Sequence, residues 1–186
     1  MGQSTVPLLT GWVNFYVILG SSAGALTGLQ FVVMTLIAQL RVPGTHHEIR
    51  AFGTPTVVHF CCALLVSAIM SAPWHALSYL SYCLGTCAAA GFLYSLSIIR
   101  HARKGAYNPD AEDWFWYAVL PVTAYLVLGA AAVLLSWHPV WSLFIVAAIT
   151  FMFLVLGIHN SWDTVTYVAL KRHGKPEDAG PGVPSH

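Results

Sequence analysis

His59 is the residue of this chain with the greatest scope for chemistry. It stands in the apolar run TVVHFCCALLVSAIMSA. If that run is helical, His59 lies about 21 Å from the break at Pro73. An imidazole at that depth can ligate a haem or another metal, or relay protons. Otherwise it needs a hydrogen-bond partner within the fold. Gln30, in the preceding apolar run and about 27 Å from Trp12, is at comparable depth and can be that partner, as can a hydroxyl. His159 and Asp163 form a second pair. Residues four apart share a helix face, so Asp163 can orient the imidazole, hold a cation at a pore mouth, or pair with Lys171 or Arg100. His159 falls about 10 Å further along than His59, so one small ion does not reach both, whereas a haem edge or a water chain does.

The remaining candidates are weaker. His75 and His138 each neighbour a tryptophan near a break, and two imidazoles suit Zn²⁺ or Cu²⁺, but a closed zinc site needs four ligands. Cys61 and Cys62 come level with Cys83 and Cys87 if the chain folds back at Pro73, which makes a thiol cluster or disulfide conceivable beside the simpler reading of apolar filler. There is no Gly-rich phosphate loop, HExxH, GxSxG or CxxC, and no Asp or Glu in the middle of an apolar run. A carboxylate-driven pump and a voltage sensor are thereby disfavoured.

The elements that carry these residues follow from composition. The chain of 186 residues is 57% hydrophobic and 8% charged, where a soluble domain has about 25% charged residues. Most of its surface must face lipid. The net charge of +1 gives no field that would draw nucleic acid. Five apolar runs, about 12–40, 56–72, 75–99, 114–135 and 140–162, are each long enough to span a bilayer as a helix. The expected fold is an all-α five-helix transmembrane bundle over residues 1–174, with 175–186 a disordered cytoplasmic tail.

Local signals set the breaks. Pro73 and Pro139 mark short turns between antiparallel neighbours, Thr54-Pro55 marks the start of the second span, and Pro121 predicts a kink in the fourth. Thr45 and Glu48 suggest a capping box for a short surface helix before Gly53. With five spans all eight basic residues fall on one side, which places the N-terminus outside and the C-terminus in the cytoplasm. The seven tryptophans agree, since each lies near the end of a span. No secretory leader or myristoylation pattern is evident.

Gly20, Gly24 and Gly28 put three small residues on one face of the first span, a packing surface for another helix or another copy. The surrounding stretch FYVILGSSAGALTGLQFVV resembles the first helix of small uncharacterised bacterial membrane proteins with an ALTGLxFV-like pattern. The resemblance spans about a tenth of the chain and implies a membrane helix, with no activity attached. The sequence thus favours a non-enzymatic multi-pass protein of the bacterial inner membrane: a homo-oligomeric pore or transport element, or a subunit of a larger membrane complex. A redox protein holding b-type haem or quinone through His59 and His159 is the alternative, and a metal-handling protein using His75 and His138 the third.

Overall fold

A computed structural model of the chain describes residues 5–39, 45–102 and 111–173. The expected tail from 175 onward lies outside the described residues. A short helix α1 (Thr5–Thr10) leads into α2 (Val13–Gln39), followed by α3 (Thr45–Ser71) and α4 (Leu77–Ala102). Then come α5 (Ala111–Trp114), a π-helical turn Phe115–Val119, α6 (Leu120–Leu134) and α7 (Pro139–His173). No strand occurs among the described residues. Five helical segments are long and apolar enough to cross a membrane: Val13–Ile37, Thr54–Ser71, Leu77–Arg100, Phe115–Leu134 and Pro139–Thr166.

Three boundaries differ from the sequence expectation. Helix α3 starts at Thr45 and runs straight through Pro55, with no separate surface helix. Proline removes a donor to the carbonyl four residues earlier. Here that carbonyl belongs to residue 51, outside the apolar span that begins at Thr54, so the loss is cheap. Helix α7 continues past Trp162 to His173, which places Asn160 well inside it. Before Pro121 the backbone widens instead of simply kinking. The amide of Leu120 bonds the carbonyl of Phe115, an i to i−5 bond, and Pro121 sits in the first turn of α6, where its missing donor is harmless.

The turns do not make every consecutive pair into close neighbours. Helix α3 packs mainly between α2 and α7, while α4 lies along α6 and touches α3 much less. The Pro73 turn, braced by the Trp74 indole bonding Ile69 O at 2.6 Å, therefore joins two helices that belong to different halves of the bundle. Helices α6 and α7 are neighbours, as expected of the Pro139 turn. Helix α7 is central, with half of its apolar window buried, and α2 is peripheral, with 17%.

Aromatic rings set into glycine gaps lock the helices. A Cβ on Gly91 of α4 would sit 2.0 Å from the Tyr125 ring of α6, and one on Gly157 of α7 would sit 2.4 Å from the Phe60 ring of α3. The Ser81 hydroxyl adds a cross-helix bond to Ala132 O at 2.6 Å. The α2 glycines form a graded series. A Cβ on Gly20 would be 3.0 Å from Ser67 Cβ and one on Gly24 4.0 Å from Leu64, while Gly28 faces open space. The glycine stripe thus meets α3 closely at Gly20 and has turned away from it by Gly28.

These contacts fix the sign of three substitutions. Gly28→Ala gains helix propensity at no steric cost and should stabilise by about 0.5–1 kcal/mol. Gly91→Ala and Gly157→Ala drive a methyl into a buried ring and should each cost about 1–3 kcal/mol. Unfolding of the detergent-purified protein checks the ordering; equal shifts at positions 28, 91 and 157 would contradict this packing.

Candidate functional site

The interface of α2, α3 and α7 carries most of the buried polar side chains. Along α7, Ser142, Thr150, Asn160 and Thr164 are buried; α3 adds Thr56, His59 and Ser67, and α2 adds Tyr16 and Gln30. The helical period produces this, since positions 146, 150, 153, 157, 160 and 164 fall on one inward stripe of α7. Towards the Pro139 turn the seam is made of hydroxyls. The Tyr16 hydroxyl faces Thr150 without closing a well-formed bond, while Thr150 donates to Val146 O at 2.6 Å. Ser67 and Ser142 are buried with no partner for their hydroxyls.

Towards the other end the groups are amides and an imidazole. Gln30, 4% exposed, accepts a hydrogen bond from Ser161 at 3.0 Å, while its Nε2 has no partner. Asn160 is fully buried, and neither its Oδ1 nor its Nδ2 is hydrogen-bonded. His59, 3% exposed, stacks on Phe153 with ring centroids 6.3 Å apart. Its Nδ1 is directed at the Pro55 carbonyl of the preceding turn, outside good hydrogen-bond geometry. Gln30 therefore pairs with Ser161. Between the hydroxyl zone and the amide zone lie Ala23, Phe60, Ala63, Val66 and Phe153, all buried and apolar.

His159 has different surroundings. Its ring lies on Trp116, centroids 3.7 Å apart and planes 11° apart, and its Nδ1 is 3.4 Å from an Asp163 oxygen. That separation is an electrostatic approach and not a formed hydrogen bond. Trp116 is in the π-helical turn, so the widened backbone ahead of Pro121 presents the ring to α7. Each imidazole thus has its own aromatic cover. Phe153, the cover of His59, precedes His159 by six residues, about 9 Å of helix.

His75 and His138 are exposed, and no group of three or more His, Cys, Asp or Glu side chains converges among the described residues. The four cysteines are free thiols. Cys62 lies 3.0 Å from the Tyr125 hydroxyl and within hydrogen-bond reach of Cys87, whereas Cys61 faces outward. An open, mainly apolar groove of about 250 Å3 lies between α2 and α7, with Gln30, Ser161, Phe60 and Trp162 among its walls.

Sequence reasoning found Gln30 and His59 and missed the isolation of Asn160, the role of Ser161 and the Trp116 stack. Asn160 falls two residues before the expected end of the fifth apolar run, which gives no reason to expect it buried. The available signal was its place on the inward stripe four residues before Thr164 and seven after Phe153. No known protein family, curated protein or solved structure matches this chain, so the site is interpreted from its own chemistry.

A buried amide without partners costs stability, about 1–3 kcal/mol per group. Asn160→Leu replaces it with an apolar side chain of similar size and breaks no hydrogen bond of the amide. The variant should unfold about 1–3 kcal/mol later than the parent in detergent. A loss of stability would mean that Asn160 has a structural partner in the folded protein.

Proposed function

We propose that this protein is a non-enzymatic transport element of the bacterial inner membrane, passing protons or small hydrogen-bonding solutes along the seam between α2, α3 and α7. The N-terminus is outside and the C-terminus cytoplasmic, with every Lys and Arg on the cytoplasmic side. The observation that carries the reading is the set of buried polar atoms left without partners, Ser67 and Ser142 in one zone and Gln30 and Asn160 in the other. In lipid such groups are costly, and they are retained where they line a path or meet a ligand.

The apolar collar of Phe60, Ala63, Val66 and Phe153 between the zones corresponds to a closed state. Gly157 gives Phe60 its seat and is the natural point for a ring movement that joins the zones. His59 beside the collar is the one histidine in the seam and the group able to hand a proton across it. With no carboxylate in the central part of any span, the passage is passive.

A second reading has its own support. Gly28 faces open space, and Leu29, Phe31, Val32 and Leu36 beside it are exposed. This side of α2 suits contact with another copy or with a partner subunit in a membrane complex.

Proteoliposomes loaded with a pH-sensitive dye separate these ideas. After an imposed pH step the parent protein should dissipate the gradient, or in a parallel assay admit a small neutral solute. His59→Phe should slow proton passage at least tenfold, and Asn160→Leu should slow either kind. Silence in both assays from a folded protein would end the transport reading. Cysteine cross-linking at Gly28 in native membranes, giving a dimer or a defined heteromer, would instead support assembly.

A further inference from the structure

The groove between α2 and α7 has the composition of a ligand site. Its walls are Leu26, Leu29, Val33, Ile158, Val165 and the aromatic rings of Phe60 and Trp162, and its polar groups are Gln30 and Ser161. None of these residues is charged. Trp162 is 72% exposed and Phe60 is buried, so one ring stands at the lipid side and the other at the back. The groove is open to the hydrocarbon phase, because Leu29, Ile158 and Val165 are exposed along its edge.

Gln30 supplies the second, independent feature. Its side chain is more than nine-tenths buried, yet Nε2 has no acceptor and Oε1 receives one hydrogen bond from Ser161. An amide oxygen has two lone pairs, so one remains. At the back of an apolar groove stands an amide able to donate one hydrogen bond and accept another.

We propose that this groove binds the head group of an isoprenoid quinone. A ring carbonyl accepts from the Gln30 amide nitrogen; in the reduced form a ring hydroxyl donates to the free lone pair of Oε1. The flat ring lies between Phe60 and Trp162, where offset or edge-on aromatic contact is favourable. The isoprenoid tail leaves by the lipid-open side. A volume of about 250 Å3 is below the roughly 300–1,000 Å3 of sites that enclose whole drug-sized ligands, which suits a head group with its tail outside. A phospholipid is the poorer match: its ester carbonyl could reach the amide, but its phosphate calls for a cation and the groove walls have none. This site shares Gln30 with the seam of the transport reading, but its ligand enters sideways from the membrane, so quinone binding and flux are read by separate measurements.

The test uses full-length protein in phosphatidylcholine nanodiscs titrated with decylubiquinone, following tryptophan fluorescence. Saturable quenching at about one quinone per chain is expected, with Trp162→Phe removing most of the ligand-dependent signal. Gln30→Leu should weaken binding at least tenfold, and Ser161→Ala less. Because Gln30→Leu also removes the bond between Ser161 of α7 and α2, Leu29→Trp provides a second variant: it fills the groove mouth from an exposed position and should also abolish saturation. Non-saturating quenching that is the same in parent and variants would overturn the proposal. So would retention of one phosphatidylethanolamine per chain, lost in Gln30→Leu, in a protein that binds no quinone.

Discussion

Phe60 resting over Gly157 is the contact on which the arrangement depends. Lipid tails are as apolar as leucine, so membrane helices gain little by hiding hydrophobic surface from each other and are held by close packing and interhelical hydrogen bonds. The Gly157 notch lets α3 approach α7 closely enough for Phe60 to be buried. That approach puts His59 against Phe153 and turns the polar stripe of α7 towards α3 instead of towards lipid. The equivalent contact of Tyr125 with Gly91 binds α4 to α6 and brings the tyrosine hydroxyl to Cys62 of α3, adding a link between the halves of the bundle to the packing of α6 on α7.

Close packing also explains how the seam persists. Ser and Thr side chains in a membrane helix can bond the carbonyl four residues back, as Thr27, Thr150 and Thr164 do, and such groups need nothing from their neighbours. Ser67, Ser142, Gln30 Nε2 and Asn160 are different, because neither their own helix nor an adjacent one meets their remaining capacity. The surrounding rings and small residues hold the helices in place strongly enough for these groups to stay buried. A bundle stabilised by its polar contacts would have satisfied them first.

Much of the architecture was legible in the chain. A charged content of 8% and five apolar runs point to helices long and apolar enough to span a membrane, and the positions of proline and tryptophan mark most ends. Pro55 and Pro121 are legible only in part. The apolar span does begin at Thr54, yet the helix starts at Thr45 and runs through Pro55, where the lost hydrogen bond is cheap. Ahead of Pro121 the backbone widens into a π-helical turn, a rearrangement with no residue pattern of its own. The pairing of α4 with α6 was not legible, because a short turn constrains only the ends of the helices it joins. For the same reason Gln30 and His59, alike in depth, were natural partners on paper, whereas the fold gives Gln30 to Ser161.

The glycine stripe of α2 connects the two features of greatest functional interest. A regular GxxxGxxxG face suggests uniform contact, but the distances grow from 3.0 Å at Gly20 to 4.0 Å at Gly24 and to open space at Gly28. Successive positions four apart rotate by about 40° around a helix of 3.6 residues per turn, so a straight helix carries such a stripe gradually off its neighbour. Leu26, Leu29 and Val33 of α2 and Ile158 and Val165 of α7 line the groove between the two helices. Gln30 lies on the side of α2 that faces α7, where it accepts one hydrogen bond from Ser161. The same geometry therefore creates an opening to the membrane and places at its back a buried amide with hydrogen-bonding capacity to spare. The amide is already buried with its nitrogen unpartnered, and the ligand proposed for the groove would meet that remaining capacity.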